Sequence, residues 1–288
     1  MNKNFPIRHL LGGMLLLLFA SACQKEEVKM ELPPATYVFL SHTRDTEQSN
    51  DLIEGVDQVD YNAYDMLWLG GDLVYFSTNS DEKIQELDDV FQLSSPQTLF
   101  APGNHDYTSP ARISAVTGRP TFYSHHENGI TFLVLDTQID GNQIADDQLD
   151  LFRAVTDTLQ QSDFLILLHH HLLWMVDGGE LEAQANQVSN GPLRSCGYCL
   201  RPQNNFYTDL FPTLQQIQAA GTQVICIGGD LGNRIPYFEH RTSDGIVFLG
   251  SGMGLKGPTE GEVLVFDHDR NNGTLNWSAT LVEKLLQK

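Results

Sequence analysis

The chain is short of positive charge. Its 288 residues carry 17 Lys and Arg against 37 Asp and Glu, a formal net charge of −20 at pH 7. Such a surface repels nucleic acid and anionic lipid at long range, so no nucleic-acid polymer is expected as a partner. Cysteine is scarce as well, with four in all. That is too few for a disulfide framework to carry a fold of this size. No second pair completes Cys196-Gly197-Tyr198-Cys199 into a four-cysteine zinc site. No long apolar run follows Phe19, so nothing beyond it has the length of a membrane span. Internal repeats and low-complexity tracts are absent too, which excludes a repeat architecture.

What is present begins with a leader. Lys3 and Arg8 form a positive start, Leu10 to Phe19 an apolar stretch too short to span comfortably, and Ala20-Ser21-Ala22-Cys23 a small-residue end. This run resembles a bacterial lipobox, so residues 1–22 are expected to be a lipoprotein signal peptide and Cys23 the lipidated first residue. Gln24-Lys25-Glu26-Glu27 resembles the acidic export signal of surface lipoproteins of Bacteroidetes. The expected location is therefore the cell envelope, lipid-anchored to an outer membrane, either exposed at the outer surface or facing the periplasm. Residues 23–34 read as a tether and residues 35–288 as one domain. Loss of Lys3 and Arg8 with the leader takes the net charge from −20 to about −22. A phosphate-binding site on such a chain needs local cations.

Apolar and helical runs alternate through the domain. Thr36–Leu40, Met66–Leu69, Gln97–Ala101, Leu165–Leu168 and Val224–Ile227 read as buried strands. Helices are expected over 47–61, Asp81–Phe91 with Ser80 as its cap, Asp146–Gln161 and Leu210–Ala220. Glu127-Asn128-Gly129 marks a hairpin between Tyr123–His126 and Ile130–Asp136. Four short strands follow, at Tyr237–Arg241, Ile246–Gly250, Glu262–Phe266 and Leu275–Leu281. Residues 176–205 break the alternation. They are poor in apolar side chains and follow a histidine cluster, so they are expected to form an insertion facing the substrate.

Three strand ends carry chemistry. Leu69-Gly70-Gly71-Asp72 closes one apolar run and Gly103-Asn104-His105-Asp106 another, while His169-His170-His171 ends a third. In open α/β sheets the carboxyl ends of the strands hold the ligand. A carboxylate, an amide oxygen and imidazoles there make a ligand set for a divalent cation.

In their order and placement these motifs resemble the calcineurin-like metallophosphoesterases. The resemblance implies a four-layer α/β/β/α sandwich and a phosphoric ester hydrolase. It covers the chain from about Thr36 to about Val282. Two of the family's motifs are altered. The early Asp-x-His reads His42-Thr43-Arg44, and the late Gly-His-x-His reads Gly229-Asp230-Leu231-Gly232. One imidazole and one carboxylate have traded motifs. The ligand set implied is His42, Asp72, Asn104, His169 and Asp230, around one divalent ion per chain (Mn, Zn, Fe or Mg).

Roles follow for the neighbours. His105 is expected to assist the leaving group, oriented by Asp106. Arg44 either neutralises a phosphate oxygen in the lost metal position or turns outward to Asp45. His170 is either a partner behind the ligands or, like His171, a partly exposed loop histidine. Cys196 and Cys199 form a local disulfide, half a zinc site or a redox pair, and a loop disulfide is the expectation. Cys226, in an apolar run, reads as a buried inert thiol. The function expected is hydrolysis of a phosphorylated small molecule or phosphodiester by a metal-activated water. The alternative is a ligand-binding lipoprotein that keeps the fold with an impaired site.

Overall fold

The apolar runs become strands, and their alternate residues feed two different cores. The computed structural model describes Met1 and residues 31–159, 162–191, 193, 199–254 and 261–287. Leu32–Lys288 is one unit and Met1–Glu31 another. Cys23 and Cys196 lie outside the described residues.

In chain order the strands are β1 (Ala35–Leu40), β2 (Met66–Leu69), β3 (Thr98–Phe100), β4 (Tyr123–Glu127), β5 (Ile130–Val134), β6 (Phe164–His169), β7 (Gln223–Gly228), β8 (Tyr237–Arg241), β9 (Val247–Ser251), β10 (Glu262–Asp269) and β11 (Thr274–Leu281). The helices are α1 (Asp81–Phe91), α2 (Pro110–Thr117), α3 (Asp146–Asp157), α4 (Ala185–Val188), α5 (Phe211–Ala219) and α6 (Val282–Leu285). One sheet runs β11-β10-β1-β2-β3 and the other β4-β5-β6-β7-β9-β8. The centres are parallel: β1 with β2 and β2 with β3, and β5, β6, β7 and β9 in succession. Antiparallel partners flank them, β10 beside β1, β4 beside β5 and β8 beside β9.

Three apolar cores separate four layers. Between the sheets pack Tyr37, Phe39, Trp68 and Leu99 from one and Phe132, Ile166, Leu168 and Ile227 from the other. The alternate residues point outward. Val38, Leu40, Leu67 and Leu69 meet Ile84, Leu87, Phe91 and Ile113 of α1 and α2. Leu133, Leu165, Leu167 and Val224 meet Phe152 of α3 and Leu214 of α5. This is the α/β/β/α sandwich expected.

Ser80 caps α1, its side chain accepting from the Lys83 N–H, with Asp81 and Glu82 in the first turn. The β4–β5 turn uses Asn128 and Gly129 at φ 53° and 78°, the pair of left-handed residues a two-residue hairpin requires.

Two expectations need correction. Residues 47–61 do not form an α-helix. They hold only the short 3₁₀ turns Val56–Gln58 and Tyr61–Ala63. The backbone there is committed elsewhere: Asp45 N donates to Asp51 O, Ile53 N to Thr43 O, and Gly55 sits at φ 89°. The 176–205 segment is not structureless. It contains the 3₁₀ turn Glu182–Gln184 and α4, and buries Leu181, Ala185, Val188 and Leu200 in the outer core.

Candidate metal centre

The parallel strands of both sheets deliver their ends to one place. β1 ends before Ser41-His42, β2 before Gly70-Gly71-Asp72, β6 at His169-His170-His171 and β7 before Gly229-Asp230. Backbone meets backbone at this seam. A Cβ on Gly229 would strike Gly70 O, and one on Gly103 would strike Asp72 Oδ1 and His170 Cε1. His42 and Asp72 both take left-handed backbone, φ 52° and 57°. For residues with a Cβ that conformation is strained and is kept where the surroundings impose it.

Asp72 is the hub. It is 1% exposed. Its Oδ2 lies 3.3 Å from His42 Nε2, 3.1 Å from Arg44 Nη1 and 3.9 Å from His105 Nε2, and its Oδ1 lies 3.6 Å from His170 Nε2. Burial works to raise its carboxyl pKa. The imidazoles of His170, His42 and His105, with the Arg44 guanidinium, outweigh that and hold it below the ordinary range. Asp230 is the second hub. Its Oδ1 stands 3.7 Å from His42 Nε2 and its Oδ2 3.5 Å from His171 Nδ1, and Ser189 Oγ donates to Oδ2 at 2.8 Å. Burial again opposes ionisation and the neighbouring imidazoles of His171, His42 and His170 prevail, so this carboxyl too sits low. Burial pushes the His42 imidazole down to about 4.

Two groups of ligand atoms result, His42–Asp72–His170 and His170–His171–Asp230, each within 4.8 Å and wholly buried. Nε2 of His170, 3.6 Å from Asp72 Oδ1, has no hydrogen-bond partner. Buried imidazole nitrogens are normally satisfied, and an orphan facing carboxylates is what a bound cation would explain. Imidazole and carboxylate together suit Zn, Mn or Fe better than a hard ion held by oxygen alone. The residues present therefore fit a divalent cation.

His169 needs correction. It caps β6 on the odd, outward face with Leu165 and Leu167. Its ring meets Trp174 at 4.9 Å and its Nδ1 is 2.7 Å from His171 O. It belongs to neither ligand group. His170 points the other way, with Nδ1 2.7 Å from Gly70 O across the seam, and joins both groups. Successive strand residues face opposite sides, so a motif match displaced by one residue selects the wrong imidazole. His171 is buried in the site as well, and neither it nor His170 is the exposed loop histidine the sequence allowed.

Asp106 also departs from expectation. Its carboxylate accepts from Asp72 N at 2.6 Å, Leu73 N at 3.2 Å, Gly103 N at 2.8 Å and Ser77 Oγ at 2.5 Å. Asn104–Asp106 is a 3₁₀ turn, and its third residue folds back onto the amide of Gly103. The carboxylate is spent on the loop and does not orient His105. His105 places Nδ1 3.1 Å from Tyr75 O, and burial lowers its pKa while Asp72 raises it. Arg44 turns inward to Asp72 rather than out to Asp45.

A cavity of about 320 Å³ opens over the centre. Arg44, Asn104, His105, His171, Asn190 and Asp230 are among its lining residues. A larger cavity of about 710 Å³, lined by Arg241, Asn276 and Trp277, lies at the β8 and β11 edges and holds none of these groups. Ser189 and Asn190, which reach the centre, carry no sequence signal beyond their place in the 176–205 segment. Cys199 is disulfide-bonded and lines the same cavity, whereas Cys226 is a free, buried thiol. Among the described residues no helix is long and apolar enough to cross a membrane.

No family model and no curated protein matches the chain. Among solved structures it aligns with the zinc complex of wild-type Vps29 from Entamoeba histolytica. That alignment has 8% identity over 86% of this chain and 99% of the other, with a TM-score of 0.31. A likeness that loose carries no functional conclusion.

Proposed function

We propose that the protein hydrolyses a phosphoester, a phosphorylated small molecule or a phosphodiester, using one divalent ion. The observation that carries this reading is the pair of buried His/Asp groups sharing His170 beneath a cavity that Arg44 and His105 also line. A divalent ion bound there supplies Lewis acidity toward a phosphoryl oxygen and a more acidic water. Asp72, His170 and Asp230 hold it, with His42 and His171 completing the shell. Arg44, fixed by Asp72, offers its remaining guanidinium N–H groups to a phosphate oxygen. His105, with Nδ1 on Tyr75 O, exchanges a proton at Nε2 with the leaving group.

A second reading, ligand binding without turnover, rests on one observation. Arg44 Nη1 engages Asp72 Oδ2, the oxygen a second ion would also need. Loss of a two-ion clamp removes several kcal/mol of transition-state stabilisation, by the usual scale of such electrostatic effects.

Elemental analysis of the purified protein, joined to a panel of mono- and diesters, tests both. One ion per chain with turnover, reduced at least 100-fold by Asp72→Asn or His170→Ala, is the expected result. One ion with no turnover selects the binding reading. Two tightly bound ions overturn the one-ion form, and no ion after supplementation overturns both readings.

A further inference from the structure

Asn190 sits in the 176–205 segment yet makes the closest polar contact to His42. Its Nδ2 lies 2.9 Å from His42 Nε2 and 2.8 Å from Leu231 O. Its Oδ1 accepts from the backbone N–H of Asn233 at 2.7 Å, which fixes the orientation of the amide, because a backbone N–H only donates. The nitrogen therefore faces the imidazole, and His42 Nε2 is the acceptor. A neutral imidazole has one acceptor nitrogen with one in-plane lone pair. That lone pair also faces Asp72 Oδ2 at 3.3 Å and Asp230 Oδ1 at 3.7 Å, where a cation would have to sit to use it.

The lone pair serves one partner at a time. We propose that Asn190 is a displaceable cap on the metal centre: its amide occupies His42 Nε2 in the cation-free protein and is released when a divalent cation takes that nitrogen. The released residue is the anchor of its segment. Asn190 N also donates to Asp230 O, Asn190 O accepts from Arg234, and α4 ends two residues before it. Cation binding thus loosens the stretch that roofs the cavity. This inference rests on the cation site proposed above and needs no hydrolysis.

The test is cation affinity, measured by titration of the chelator-treated full chain with Zn²⁺ and with Mn²⁺. A competing hydrogen bond is a modest opponent, so Asn190→Ala should bind roughly three- to tenfold more tightly than the parent protein. Asn190→Asp keeps the acceptor for Asn233 N and removes the competing donor, so it should bind at least as tightly as the alanine variant. Amide hydrogen exchange on the unaltered protein gives a readout independent of any variant. Exchange across residues 185–191 should rise several-fold on adding cation. Equal or weaker affinity in both variants, or slower exchange with cation, overturns the cap and makes Asn190 a ligand or a support. If neither parent nor variants bind cation, the metal reading itself fails along with this one.

Discussion

The two halves of the centre are built to different standards of completeness. In the Gly71–Asp72 and Gly103–Asp106 half every buried polar group is answered. Asp106 takes three backbone N–H groups and a hydroxyl, and His105 N donates to Asp72 Oδ1 at 2.9 Å. In the His42, His170–His171 and Asp230 half, His170 Nε2 faces Asp72 Oδ1 at 3.6 Å without a hydrogen-bond partner, and His171 Nδ1 reaches Asp230 Oδ2 only at 3.5 Å. The first half is a scaffold that stands unaided. The second brings imidazoles and carboxylates together in a geometry that a bound cation would complete.

Asp106→Ala breaks that contrast most severely. It strands Asp72 N, Leu73 N and Gly103 N in a buried site and removes one bond from Ser77 Oγ. We expect a loss of about 3–4 kcal/mol in urea unfolding with chelator present. His170→Ala under the same conditions should cost less, roughly 1–2 kcal/mol, since it removes one completed bond, from Nδ1 to Gly70 O, and none from Nε2. Equal losses would mean that the second half is as self-sufficient as the first.

Acid should probe the imidazoles next. Burial lowers His42 to about 4 and His169 to about 3. Below about pH 6.5 the unfolded chain takes up protons that the fold refuses, so stability present above that pH falls as the pH drops toward the folded values. Each histidine contributes a slope of at most about 1.4 kcal/mol per pH unit. Asp106 works in the opposite sense. Burial, then the charge of Asp72, raise its carboxyl to about 6, so the fold keeps a proton that the unfolded chain releases. His169→Gln, which preserves a donor toward His171 O, should shallow the measured slope below pH 6.5. An unchanged slope would remove His169 from this account.

The smallest effect is the most diagnostic of shared ligation. His42 Nε2 and Asp230 Oδ1 are 3.7 Å apart. His42→Asp and Asp230→His, alone and together, should show a coupling of about 1 kcal/mol in cation affinity, whereas independent sites add within a few tenths. Strict additivity would mean that the two residues do not meet at one ion.

Periodicity made the sandwich legible. The runs Met66–Leu69 and Phe164–Leu168 and the Asn128–Gly129 turn are local signals that the tertiary structure obeys. The 47–61 stretch was misleading because its composition suits a helix while Ile53 N bonds across the loop to Thr43 O and Asp51 O accepts from Asp45 N. At the centre, strand-end placement pointed to Asp72, and the motif resemblance pointed to His42 and Asp230. The choice between His169 and His170 was not legible, since it turns on a register that only the packing of Trp174 against β6 decides. Asn190 was hidden for another reason. It reaches His42 across 148 residues, with no spacing to betray it.

The glycine seam has a consequence for how such a protein can change over generations. Gly70, Gly71, Gly103 and Gly229 leave no room for a side chain where the strand ends of the two sheets abut. Drift is therefore blocked at the floor of the centre and permitted at its roof. New specificity in descendants of this chain would be written in the 176–205 segment, by trading residues such as Ser189 and Asn190, while the floor stays fixed.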